Sequence, residues 1–210
     1  MPASLPRQAV SNNYDRLSRF YDLFSASERR FSESGLRLLA FQPGERLLEI
    51  GPGTGHALAV LARTGEVYGI DLSPGMLHTA QLRLARLDLA GRVLLSRGDA
   101  IRLPYPQAAF DAAFMSFTLE LFSDAEIPLV LAECRRVLRP GGRLGVVSLL
   151  KEESPAVRAY EWFHARLPAV VDCRPIYLQP LLQAAGFEPH DSVRESIWGL
   201  PAAAVVALRP

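Results

Sequence analysis

Lysine is almost missing from this chain: Lys151 is its only one, and the remaining positive charge is arginine, a compositional bias of the source. A phosphate-cradling loop ending in Gly-Lys-Ser/Thr is thereby excluded. Cysteine is also scarce. Cys134 and Cys173 stand far apart, which fits neither a disulfide framework nor a metal cluster and points to a reducing compartment. Charge of one sign is not in excess, since the formal net charge is +1, so the net charge gives no electrostatic footprint for nucleic acid or an anionic membrane. No apolar run reaches membrane-spanning length, and the N-terminus, with Arg7, Asp15 and Arg16 among short apolar pieces, lacks the apolar centre of a signal peptide. A cytoplasmic protein is expected. Repeats, linkers and low-complexity blocks are absent too, so 210 residues with 49% hydrophobic content predict a single domain.

What is present is an alternation of strands and helices. Two helical stretches, at about Gln8 to Ser25 and Ser27 to Phe41, precede a first strand at Arg46 to Ile50. A second strand, Val67 to Leu72, feeds a helix capped by Ser73 with Pro74 at its first position and Met76, Leu77, Ala80, Leu84 and Leu87 at helical spacing. Further strands are expected at Val93 to Ser96, Phe110 to Phe117 and Gly145 to Leu149. Ser123 and Glu126 form a capping box for a helix running to Leu138 and stopped by Pro140-Gly141-Gly142. Helices are expected at Ala156 to Leu167 and Leu178 to Ala185, then a hairpin of Ser192 to Trp198 with Ala203 to Leu208. Strict alternation in the first two thirds predicts a doubly wound, mostly parallel α/β sheet, with an antiparallel strand added at the end. The N-terminal helices (residues 1–42) cap a cofactor-binding core (43–150), and acceptor-side helices with the hairpin follow (151–210).

Between the first strand and its helix lies Gly51-Pro52-Gly53-Thr54-Gly55-His56. Glycines there allow positive φ and let a ligand lie against the backbone. A dinucleotide fingerprint would place its third glycine where His56 stands, and Pro52 removes a backbone donor, so the loop suits a nucleoside-like ligand without a fixed phosphate anchor. Asp71 ends the second strand 20 positions after Gly51, where a carboxylate can accept hydrogen bonds from both ribose hydroxyls. Asp99 ends the third strand, where it can receive the amine of an adenine.

Glu49-Ile-Gly-Pro-Gly-Thr-Gly55, Tyr68-Gly-Ile-Asp71, Gly98-Asp-Ala100, Phe110-Asp-Ala-Ala-Phe114 and Arg136-Val-Leu-Arg-Pro-Gly-Gly142 follow one another at intervals that resemble the motifs of class I S-adenosylmethionine-dependent methyltransferases. The resemblance covers roughly residues 10 to 190. It implies a Rossmann-like sheet of seven strands whose last enters antiparallel, and S-adenosylmethionine as cofactor. By the same resemblance Gly51, Gly53 and Gly55 underlie the cofactor, Asp71 holds its ribose, Asp99 and the Ala100 backbone read its adenine, and Glu49 sits near its methionine amino group. Leu72, Met76 and Ser116 complete the implied contacts. A cofactor with a diol, an adenine, an amino-acid zwitterion and a sulfonium, but no phosphate, matches the loop's chemistry.

The acceptor is narrowed by what is missing. The fourth strand ends Phe114-Met-Ser-Phe117 and carries no Asn/Asp-Pro-Pro-Tyr/Phe element for adenine in DNA, neither cysteine has a Pro-Cys context, and no basic aromatic arm exists for RNA. A small molecule remains. Tyr14-Asp and Tyr21-Asp resemble the entry motif of the menaquinone and ubiquinone ring C-methyltransferases, which implies that Tyr21 closes over the methionine end; burial of aromatics in an amphipathic helix is the competing reading. A lipidic acceptor would bring transient membrane contact. The segment Leu150 to Arg174, with Tyr160, Trp162, Phe163 and Pro168, departs from that group. No catalytic base announces itself: His56, His78, His164 and His190 are scattered, and Glu120 stands just past the fourth strand. Arg174 can pair an acceptor anion or Asp172. Methylation of another small or lipid acceptor, cofactor binding without turnover, and a nicotinamide dehydrogenase are the alternatives.

Overall fold

Apolar strands alternating with amphipathic helices pair into one seven-stranded sheet in the computed structural model, which describes residues 26–166, 173–197 and 199–210. The strands are β1 (Arg46–Ile50), β2 (Glu66–Asp71), β3 (Val93–Arg97), β4 (Phe110–Ser116), β5 (Leu138–Leu149), β6 (Glu188–Ile197) and β7 (Leu200–Leu208). The helices are α1 (Ala26–Leu39), α2 (His56–Leu61), α3 (Pro74–Arg86), α4 (Ile127–Val137), α5 (Pro155–Arg166) and α6 (Leu178–Ala184). The expected helix at Gln8 to Ser25 lies outside the described residues.

Strand order is β3-β2-β1-β4-β5-β7-β6, with β7 antiparallel to both neighbours and the other pairings parallel. The doubly wound sheet with an antiparallel last strand is therefore as expected. The order reverses between β1 and β4, and in such sheets the crevice beyond the carboxyl ends at the reversal is where ligands sit. Side-chain alternation divides the core into two layers. Leu47, Phe114 and Val147 face α1, α2 and α3, while Leu48, Met115 and Val146 face α4 and α6. Among the described residues no helix is long and apolar enough to cross a membrane.

Three sequence expectations need correction. The strict alternation lapses between β3 and β4, where a loop, not a helix, covers the sheet. Tyr105 packs edge-on against Tyr68 and Phe110 at 6.0 and 5.0 Å and fills the place a helix would take. The capping box forms only in its backward half. Glu126 accepts from the Ser123 backbone N–H at 2.9 Å and is itself the N-cap, so α4 begins at Ile127. The Pro140-Gly141-Gly142 stop lies inside β5 instead of before it, because Leu138 already pairs with Phe110 and the Gly141 N–H donates to the Arg209 carbonyl at 2.8 Å.

The covering loop is held from α4. Arg136 donates to the carbonyls of Tyr105 (2.7 Å) and Leu103 (2.9 Å), and Glu133 accepts from the Leu103 N–H (2.7 Å) while pairing with Arg136. The planar guanidinium suits this forked arrangement. Arg136→Ala is expected to lower stability by about 3 kcal/mol, because carbonyls and a carboxylate lose charged partners together. Urea unfolding checks it, with Arg136→Lys recovering only part of the loss.

Candidate functional site

Each glycine of the β1–α2 loop answers a different constraint. Gly51 (φ +68°) passes so close to Thr118 that a Cβ would stand 2.5 Å from its side chain. Gly55 (φ +79°) is the N-cap of α2, and a Cβ there would meet the Ala80 Cβ at 2.8 Å. Gly53 also has positive φ, yet a Cβ on it would meet nothing within 4 Å. The loop thus turns tightly at its ends and leaves its middle backbone open to a ligand.

Glu49 is the second-last residue of β1, and alternation aims it into the layer beneath α1 and α2. It is 3% exposed, and its Oε2 has no hydrogen-bond partner among the described residues. Burial, with the nearby Asp71 charge adding to it, pushes its carboxyl up to about 8, so it holds its proton at neutral pH. Such a group is costly to bury unless something pairs with it. Beside it opens a pocket of about 70 Å³ lined by Glu49, the loop from Gly51 to Thr54, and Arg29, Ser32, His56, Ser116 and Phe117. One acid and one arginine in a small cavity are the complement of an amino-acid zwitterion.

Other residues shape the same corner. Ser32 of α1 and Ser116 of β4 share a hydrogen bond at 2.5 Å. Phe117 takes φ +50°, rare for a non-glycine residue, while its N–H is held by the Val147 carbonyl at 2.8 Å and its ring meets Phe31 edge-on. His56 is pushed below its ordinary value by burial, then by the Arg29 charge, against a Glu33 contact at 3.6 Å.

Asp71 sits at the rim. Its Oδ2 accepts from the Gly53 N–H at 3.3 Å and its Oδ1 from the Ser73 N–H at 2.9 Å, so it ties the glycine loop to β2. Ser73 separately caps α3 through Met76 N–H at 3.0 Å, as the sequence indicates. Asp99 follows β3, next in the sheet; its Oδ1 accepts from the Ile101 N–H at 3.1 Å, and Ala100 is buried beside it. Leu72 is half-buried after β2, whereas the Met76 side chain is sealed at 1% exposure and does not line the pocket. Tyr14 and Tyr21 lie outside the described residues.

Several candidates fall away from the opening. Glu120 is 1% exposed and accepts from the Leu149 N–H at 3.3 Å, so it lies under the cleft and not over it. Arg174 pairs with Asp124 at 2.8 Å and donates to the Phe122 carbonyl instead of meeting an acceptor anion. Cys134 is buried and its thiol pushed up to about 12 by that burial, which makes it inert packing. Among the described residues no cluster of His, Cys, Asp and Glu can hold a metal ion. Sequence reasoning missed Arg29 and Ser32. Both sit on α1, distant in sequence from every motif, and only the packing of α1 against β4 and β5 brings them to the pocket.

Comparison with known proteins agrees with this geometry. The family described as a methyltransferase domain matches residues 47–142. The chain is 32% identical to the 2-phytyl-1,4-naphtoquinone methyltransferase of Synechococcus elongatus, over 75% of this chain and 70% of that protein. It is 34% identical to the demethylmenaquinone methyltransferase of Beutenbergia cavernae, over 91% of this chain and 76% of that protein. Among solved structures, the cyclase SpnF superposes with a TM-score of 0.72 at 26% identity, covering 86% of this chain and 81% of that one. Five motifs in register, the sheet order and these relatives agree, and the chain belongs to the class I S-adenosylmethionine-dependent methyltransferases, in the group of the quinone-biosynthesis C-methyltransferases.

Proposed function

We propose that this protein transfers a methyl group to a ring carbon of a small quinone precursor, with the cofactor's amino-acid end in the Glu49 pocket. The observation that carries the cofactor's placement is the buried Glu49 carboxyl, without a hydrogen-bond partner among the described residues, lining the same small pocket as Arg29. In this reading Glu49 takes the ammonium of S-adenosylmethionine, Arg29 its carboxylate, Gly51 to Gly55 lie beneath it, Asp71 takes the ribose hydroxyls, and Asp99 with the Ala100 backbone takes the adenine. Leu72 and Ser116 border the site, and Tyr21 closes the methionine end.

S-adenosylmethionine supplies a methyl group on a sulfonium, an electrophile that is already activated. The protein's task is then alignment and exclusion of water. Phe117 gives the pocket an apolar side and packs edge-on against Phe31, and its strained backbone is fixed by β5. His56, held neutral, adds no positive charge beside a sulfonium. The acceptor class is supported by the relatives, named for naphthoquinone and menaquinone precursors. One observation favours a competing reading, cofactor binding without methyl transfer: the cyclase SpnF is built on the same scaffold.

Methyl-labelled S-adenosylmethionine offered with demethylated quinols, small phenols and headgroup amines is expected to label a quinol ring carbon. Label on another acceptor, or none despite tight cofactor binding, contradicts the proposal. Asp71→Ala should weaken cofactor binding by about 1.5 to 3 kcal/mol in calorimetry, the scale of hydrogen bonds to a charged group.

Glu49 also makes stability depend on pH. Its folded value, about 8, lies above its ordinary 4.5, so between those limits the folded chain binds the extra proton and stability falls as pH rises, levelling off above about 8. Glu49→Gln should flatten this decline in urea midpoints measured from pH 5 to 8.5, and weaken cofactor binding at the same time.

A further inference from the structure

Helix α5 presents the wrong residues to water. Its inward stripe, Val157, Tyr160, Glu161 and His164, follows helical spacing; Val157 is buried and the Tyr160 hydroxyl donates to the Cys173 carbonyl at 2.9 Å. The opposite face carries Arg158, Ala159, Trp162, Phe163 and Arg166, all exposed. Trp162 is 50% and Phe163 51% exposed, among the largest exposed apolar side chains described. The two rings pack edge-on at 5.0 Å, and the Arg166 guanidinium lies 3.7 Å above the Trp162 ring. A solvated helix face has no use for adjacent aromatic rings.

Charge identifies what the face fits. The one acid of α5, Glu161, is turned inward and paired with Lys151 at 2.9 Å, so the outward face is purely cationic. A second copy docked two-fold would bring arginines against arginines. Aromatic rings flanked by arginines are the composition of a helix lying in the headgroup layer of an anionic bilayer, rings toward the acyl boundary and guanidiniums on the phosphates. Position agrees as well. α5 follows the carboxyl end of β5, which is parallel to and paired with β4, whose last residue Ser116 borders the pocket.

We propose that the outer face of α5 docks the protein onto anionic lipid bilayers at the edge of the sheet where the acceptor enters. The purpose of the contact rests on a lipidic quinone-type acceptor; the contact itself does not.

The test uses the full chain and vesicles of phosphatidylcholine alone or mixed with phosphatidylglycerol, without acceptor. Co-sedimentation with the mixed vesicles is expected, weakening as salt is raised. Trp162→Ala with Phe163→Ala should reduce partitioning about tenfold or more, since two large apolar side chains leave the bilayer boundary. Arg158→Glu with Arg166→Glu should remove the preference for anionic vesicles. In a Trp198→Phe background, brominated lipid should quench Trp162 fluorescence. The proposal is overturned if the wild type ignores anionic vesicles, or if the aromatic double variant binds them equally well. It is overturned likewise if sedimentation velocity shows a dimer that the double variant dissolves, which would give the face to a second copy. Vesicle binding that persists when no quinol is methylated would sink the acceptor reading and leave this surface standing.

Discussion

A carboxyl group buried without a hydrogen-bond partner among the described residues is the constraint around which the site is arranged. Glu49 occupies a central strand, in a position where strand alternation would ordinarily place an aliphatic residue, and the chain tolerates it by keeping it protonated. Everything near it restricts what can neutralise that group. The glycine loop closes one side with backbone, Asp71 adds a repulsive negative charge, and α1 contributes Arg29 and Ser32 from above. A ligand with a positive nitrogen beside a carboxylate relieves all of these at once. In the proposed reading, the site is prepared by an unfavourable interaction that the ligand removes.

The rest of the crevice depends on stiffness. Asp71 links the loop to β2 through Gly53, and Asp99 hangs from a segment that lacks a helix of its own. That segment would be free to drift without the Arg136 and Glu133 fork on α4, which fixes two of its carbonyls and one amide within the same layer. Arg136 heads one of the motifs that carry the family resemblance, and in the structure it holds the loop following Asp99.

Much of this was legible in the sequence because it is local. Ser73 capping α3, the glycine loop after an apolar strand and the acid closing β2 each follow from neighbours a few residues apart. The sheet's antiparallel ending was legible from two strand patterns with no helix between them. What escaped was non-local. Tyr105 substitutes for a helix only because Tyr68 and Phe110 are brought beside it by strand pairing, and Arg29 joins the pocket only because α1 packs across the sheet.

If the ligand's ammonium replaces the proton on Glu49, proton counting shows it. Binding of S-adenosylhomocysteine, which carries the same amino-acid end, can be followed by calorimetry at pH 6.5 in buffers of different ionisation enthalpy. Glu49 is protonated there and the ligand's α-amino group is charged. Close to one proton is expected to be released per ligand bound, and none in Glu49→Gln. Tight binding to the wild type with no proton exchanged would mean that Glu49 stays neutral in the complex, and the buried acid would then be no part of the recognition.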